Sequence, residues 1–112
     1  MNCPIVYFEI AGPDASNLIS FFQTVFGWDI DESARIASHS TGGLHGGIRE
    51  DPKDTVFYLG VDDINETLAA VIANGGEVVL PRTEMPDVVT FALFKDPAGN
   101  LHGVAEKGSY AA

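Results

Sequence analysis

Apolar positions along the chain follow two periods. Pro4 to Ile10 is β-branched and aromatic, which predicts a strand, and Gly12-Pro13-Asp14 stops it. Ala15, Leu18, Ile19, Phe22, Val25 and Phe26 then recur at helical spacing. Asp14 suits the N-cap of that helix and Gly27 its left-handed C-cap. Short strands are expected over Trp28–Ser33, Arg35–Ser40 and Leu44–Arg49, interrupted by Gly42-Gly43 and Gly46-Gly47. After a charged, proline-containing linker at 50–54 the pattern returns. Thr55 to Val61 reads as a strand, with Asp63 as a cap and Glu66 three positions on. Ile64, Leu68, Val71 and Ile72 form a second helical stripe that ends at Gly75-Gly76. Glu77 to Leu80 is a strand, Pro81 to Pro86 a loop, and Val88–Lys95 with Asn100–Glu106 a closing hairpin. Its turn, Asp96-Pro97-Ala98-Gly99, suits type I. Asp96 can bond backbone, Pro97 presets φ, and Gly99 can turn left-handed.

The recurrence is an internal duplication. Phe8-Glu-Ile10 answers Phe57-Tyr-Leu59, Asp14 answers Asp63, Phe22 answers Val71 and Gly27 answers Gly76, all 49 positions apart. Leu44-His-Gly46 also matches Leu101-His-Gly103. Each half therefore reads β-α-β-β-β, with module 1 at about 1–50 and module 2 at about 55–107 of one domain spanning 1–112. Each half has one apolar helix stripe and needs the other to enclose anything.

With Phe21-Phe-Gln-Thr-Val-Phe-Gly-Trp28, Val61-Asp-Asp-Ile64 and Phe94-Lys-Asp-Pro-Ala-Gly-Asn-Leu101 in this order on the doubled frame, the chain resembles the vicinal oxygen chelate superfamily. That superfamily includes glyoxalase I, bleomycin-resistance proteins and extradiol dioxygenases. The resemblance implies an α+β fold: two tandem βαβββ modules forming an open, cup-shaped mixed sheet with helices outside. It also implies a homodimer and a site inside the cup.

Composition narrows the function. Six basic residues against sixteen acidic ones give a formal charge of -10, which disfavours nucleic acid. Cys3 is the sole cysteine, so no intrachain disulfide or cysteine metal cluster is expected. No signal-peptide pattern or membrane-length apolar run is read, and a cytoplasmic protein without membrane association is expected.

Metal-dependent enzymes of the superfamily take His, Glu or Gln ligands from the first and last strands of each half. The resemblance puts these positions at Tyr7 and Val56, Gly103 and, through the repeat, Gly46. Val and Gly offer no donor and a neutral phenol is a poor one, so no metal and no cofactor are expected. His45 and His102, by strand alternation, face opposite Gly46 and Gly103, where packed or solvated histidine is expected.

With Tyr7 facing into the cup, Ile5 and Glu9 follow it, and Val56, Tyr58 and Gly60 do so in module 2. Val6, Phe8 and Ile10 then pack under the helices. Glu9 is the candidate catalytic residue, as a general base, or else one half of an ion pair with Arg35 or Arg82. Tyr7, Glu9, Trp28, His39 and Tyr58 are the candidate ligand-binding residues. The expected function is binding of a small organic molecule without metal, in the manner of glyoxalase and bleomycin-resistance-like proteins. The alternatives are a metal-dependent or Glu-based lyase, isomerase or dioxygenase, and a non-catalytic structural or regulatory dimer.

Overall fold

The structure, a computed structural model, describes residues 2 to 110. Its elements run β1 (Ile5–Gly12), α1 (Ala15–Phe26), β2 (Arg35–Ile36), a 3-10 turn (Ser38–Ser40), β3 (His45–Glu50), β4 (Asp54–Val61), α2 (Ile64–Ala73), β5 (Glu77–Met85), β6 (Val89–Lys95) and β7 (Leu101–Glu106). This is an α+β chain built from two β-α-β modules, each ending on a strand parallel to the one that began it. Residues 7–57 form one compact unit; residues 58–110, with the segment up to residue 6, form a second.

In the first unit the strand order is β2-β3-β1, with β1 and β3 parallel. Asp14 starts α1 by accepting from the Asn17 amide at 3.1 Å. Gly27 ends it at φ +66°, returning its amide to the Gln23 carbonyl. Ile30, Ile36 and Ile48 form the core, with Phe8, Ile10, Leu18, Ile19, Phe22 and Trp28 packed on it. Val25 and Phe26 depart from expectation, being 55% and 59% exposed. The helical stripe continues past the short β2–β3–β1 sheet that it covers. Trp28–Ser33 and Arg35–Ser40 are also not full strands. Only Ile30 bridges Ile36, β2 is two residues long, and Ser38–Ser40 turns into a 3-10 helix. Asp31 draws the Ser33 and Arg35 amides to its side chain, a local alternative to strand pairing.

In the second unit the order is β4-β7-β6-β5, β4 and β7 being parallel and the others antiparallel. Asp63 caps α2 through the Glu66 amide at 3.0 Å. Ile64, Leu68, Val61, Ala92, Phe94 and Val104 form the core, with Cys3 packed against it. Ile72 leaves the stripe and is 61% exposed. The region Pro81 to Pro86 is not a loop, because β5 runs through Pro81 to Met85. The strand accommodates the proline with register shifts between Val78 and Leu80 and between Leu80 and Thr83. The closing turn forms as expected: the Gly99 amide donates to the Asp96 carbonyl at 2.9 Å, and Gly99 has φ +90°.

Each last strand also ties down its own helix. Glu50 Oε1 accepts from the Ala15 amide at 3.5 Å, and Glu106 Oε1 from the Ile64 amide at 3.2 Å. Carboxylates suit the free amides and positive dipole of a helix start. Arg82 holds Glu106 from β5 at 2.7 Å, and the Glu106 carboxyl lies below its ordinary range chiefly because of that guanidinium.

Candidate functional site

Strand pairing assigns faces within each unit. Tyr7 pairs with His45, Phe8 with Gly46, and Glu9 with Gly47; across β2, Arg35 pairs with Gly47 and Ile36 with Gly46. Phe8 and Ile36 pack in the α1 core. Tyr7, Glu9, Arg35, His45, Gly47 and Arg49 therefore share the helix-free face.

This register corrects the sequence-derived position at Gly46. Any β-carbon there would run into the Phe8 ring on the helix side. The residue equivalent to Gly103 is Gly47, 56 positions earlier, as the paired helix ties at Glu50 and Glu106 also indicate. The Leu-His-Gly match is thus offset by one residue, and one residue exchanges the faces of a strand. It also moves His45: it is exposed on the helix-free face beside Tyr7, not packed toward α1. His102 does lie on the helix side, next to Phe94 with ring centroids 5.5 Å apart, and its Nε2 bonds Asp96 at 2.9 Å. That bond, with bonds from Asn100 and the Ala98 amide, holds the Asp96 carboxyl well below its ordinary range. The group locks the turn.

Both ligand-equivalent positions are glycines under a tyrosine. The Tyr7 hydroxyl lies 2.5 Å from where a β-carbon of Gly47 would sit. Over Gly103 it is the Tyr58 ring itself, from Cγ outward, that fills this place. Tyr58 is 7% exposed and packs edge-on to Phe91 at 6.3 Å. Gly60 is roofed in the same way by the Tyr110 hydroxyl, at 2.6 Å. Val6, expected under the helices, instead brings Cγ1 to 3.0 Å from the same point. In the first unit Tyr7, Val56 and Gly47 supply one phenol oxygen, and in the second Gly103 supplies no side chain, so neither unit offers at these positions the donors a divalent cation takes.

Glu9 is an ion-pair residue, and its partner is Arg49, neither Arg35 nor Arg82. Arg49 Nη1 lies 2.5 Å from Glu9 Oε1, and its Nε lies 3.1 Å from Asp51. Burial pushes the Tyr7 phenol up, Glu9 adds to this, and Arg35 and Arg49 oppose it. The phenol therefore stays protonated near neutrality and can donate. Trp28 stacks on Phe22 (4.7 Å, 13°) and meets Phe8 edge-on at 5.9 Å, which makes it a core residue on the α1 side. His39 sits on the 3-10 turn, exposed, with Asp29 at 3.2 Å. The structure thus brings Tyr7 and Glu9 together and places Trp28 and His39 elsewhere. Sequence reasoning had Arg35 near Glu9 and missed Arg49 and His45 on that face; the spacing of Arg49 and His45 from Gly47 was the available signal.

Paired β-α-β modules, each with a capped outer helix and a closing parallel strand, define the vicinal oxygen chelate class. The glyoxalase-like domain family model matches residues 7–105, and the chain belongs to that family. A glyoxylase-like domain-containing protein of Didymella fabae is 27% identical over 115 residues, covering 88% of this chain and 90% of that one. Two solved structures share the fold. One is a hypothetical protein from Bacillus halodurans C-125 (TM-score 0.73, 14% identity, covering 100% of this chain and 99% of that one). The other is a glyoxalase/bleomycin resistance protein/dioxygenase superfamily member from Vibrio splendidus 12B01 (TM-score 0.67, 17% identity, 95% and 100%).

Proposed function

We propose that this chain binds a small organic molecule, without a metal ion, on the helix-free face around Tyr7 and Glu9. The observation that carries this reading is the pair of capped glycines, Gly47 under Tyr7 and Gly103 under Tyr58. A metal-dependent superfamily enzyme takes donors from those two places, and here aromatic side chains cover bare backbone. Glu9 acts as an anchor, not a base, because Oε1 is shared with Arg49. Tyr58 serves as filling beside Phe91. Trp28 and His39 drop out as ligand contacts because of where they lie.

A thermal-shift screen of small metabolites and antibiotics, run with and without a chelator, tests this. A specific ligand should raise Tm equally in both conditions, by about 2.7 kcal/mol of stabilisation at a hundredfold excess over Kd. Stoichiometric stabilisation by nickel, zinc or iron that a chelator removes would overturn the metal-free reading.

The same reading includes a homodimer, supported by α1. From Ala15 to Trp28 there is no charged residue, in a chain of formal charge -10. Surface helices ordinarily carry charge on the outer face. Here that face carries Phe21, Val25 and Phe26, each more than half exposed. Two acidic copies meet with least repulsion where neither carries charge. Sedimentation velocity should show a dimer that Phe21→Asp with Phe26→Asp converts to monomer; a wild-type monomer at 0.1 mM-order concentrations, about tenfold above ordinary weak-dimer Kd values near 10 μM, removes the proposal. No helix among the described residues is long and apolar enough to cross a membrane.

A further inference from the structure

α2 runs out into Ala73-Asn74-Gly75-Gly76, and Asn74 is the one asparagine of the chain that a glycine follows; Asn2, Asn17, Asn65 and Asn100 precede Cys3, Leu18, Glu66 and Leu101. Asn74 is exposed and caps the C-terminal end of the helix. Its Nδ2 donates to the Ala70 carbonyl at 2.8 Å, and its backbone amide shares that carbonyl at 3.1 Å. Gly75 is exposed too and stands at φ +91°. Its amide reaches the Ile72 carbonyl only at 3.3 Å, a long bond in the last turn, where helices fray. A glycine has no Cβ to hinder its nitrogen as it nears the preceding carboxamide.

We infer that Asn74 is a site of spontaneous modification, independent of what the chain binds. Hydroxide takes the proton of the Gly75 backbone nitrogen, which attacks Cγ of Asn74. A C–N bond forms, the Cγ–Nδ2 bond breaks, and Nδ2 leaves as ammonia after taking a proton from water. Water then opens the succinimide ring at either carbonyl, leaving aspartate or isoaspartate at position 74. Both products strain their surroundings. Each adds a negative charge at the negative end of α2, whose last turn holds no basic residue. Aspartate also puts an oxygen where Nδ2 donated to the Ala70 carbonyl. Isoaspartate instead inserts a methylene into the backbone two bonds ahead of tightly packed Gly76. A β-carbon on Gly76 would lie 2.6 Å from Val71 Cγ1 and 2.7 Å from the Lys95 carbonyl oxygen, and its amide is held by the Val71 carbonyl at 2.8 Å. The reaction therefore loosens the junction of α2 with β5.

The full chain is incubated at physiological temperature in mildly acidic and mildly alkaline buffer and mapped by proteolysis and mass spectrometry. Asn74 should lose its amide at least about tenfold faster than Asn17, Asn65 or Asn100, and faster in alkali, with isoaspartate detected by enzymatic methyl transfer. A peptide of residues 70–79 gives the unhindered rate, and Asn74 in the folded chain should react within about tenfold of it. Asn74 keeping its amide while the peptide loses it, or reacting no faster than the other asparagines, overturns the inference. Asn74→Asp reproduces one product and should lower Tm by about 2–6 °C. An unchanged Tm in that variant overturns the strain assigned to the modified helix end.

Discussion

Gly103→Ala is expected to lower stability by about 3 kcal/mol, at the upper end of ordinary overpacking. A single methyl there would enter the Tyr58 ring near its root, where Cγ and Cδ2 have little freedom to retreat. Tyr58 is itself 7% exposed and abuts Phe91. At roughly 4–8 °C per kcal/mol for a small domain, Tm should fall by more than about 10 °C. Gly47→Ala is the control. There the obstacle is the Tyr7 hydroxyl, the far end of a side chain that can swing, and the loss should stay below about 1 kcal/mol. Equal losses at the two glycines in chemical denaturation would show that tyrosine does not close position 103. Any side chain placed at 103, a carboxylate included, requires moving Tyr58 first.

The second large effect is expected at the start of α2. Ile64→Ala should cost about 3–4 kcal/mol, because Ile64 is fully buried between Val61, Leu68 and Val104 and the void cannot collapse easily. Its amide is held by Glu106, so the backbone is not free to follow the missing side chain. Ile72→Ala, eight positions on in the same apolar stripe but 61% exposed, should change stability by less than about 0.5 kcal/mol. Similar midpoints for the two variants in urea would contradict this orientation of the helix.

Those contrasts mark what sequence patterning could and could not supply. Both helices, the caps at Asp14 and Asp63, the stop at Gly27 and the Asp96–Gly99 turn were legible, because each depends on a few neighbouring residues. Core faces were legible for most of each stripe, and not at Val25, Phe26 and Ile72, which keep the helical period and are exposed. The region from Trp28 to Ser40 was not legible as loop, because its Ile and Trp face the core while Asp31 and Thr41 fold the backbone locally; Thr41 Oγ1 bonds the Leu44 carbonyl. Tyr7 and Glu9 fall together on the helix-free face, as alternation along their strand gives. Their neighbours were not legible, because the partner strand's register cannot be read from alternation alone. The repeated Leu-His-Gly triplet suggested a register one residue away from the true one, and that residue decided which side His45 and Arg49 occupy.

Pro81 has a consequence outside binding. β5 is nine residues long and lies at an edge of its sheet, the kind of strand onto which a stray extended chain can dock and seed fibrils. Proline has no amide hydrogen to offer such a chain, and the two register shifts around it bend the strand out of a flat template. Glu77, Arg82 and Glu84 add charge along the same strand. What remains on either side is about four residues, shorter than the six or seven that stacked cross-β segments need. The edge therefore protects the chain from its own concentration.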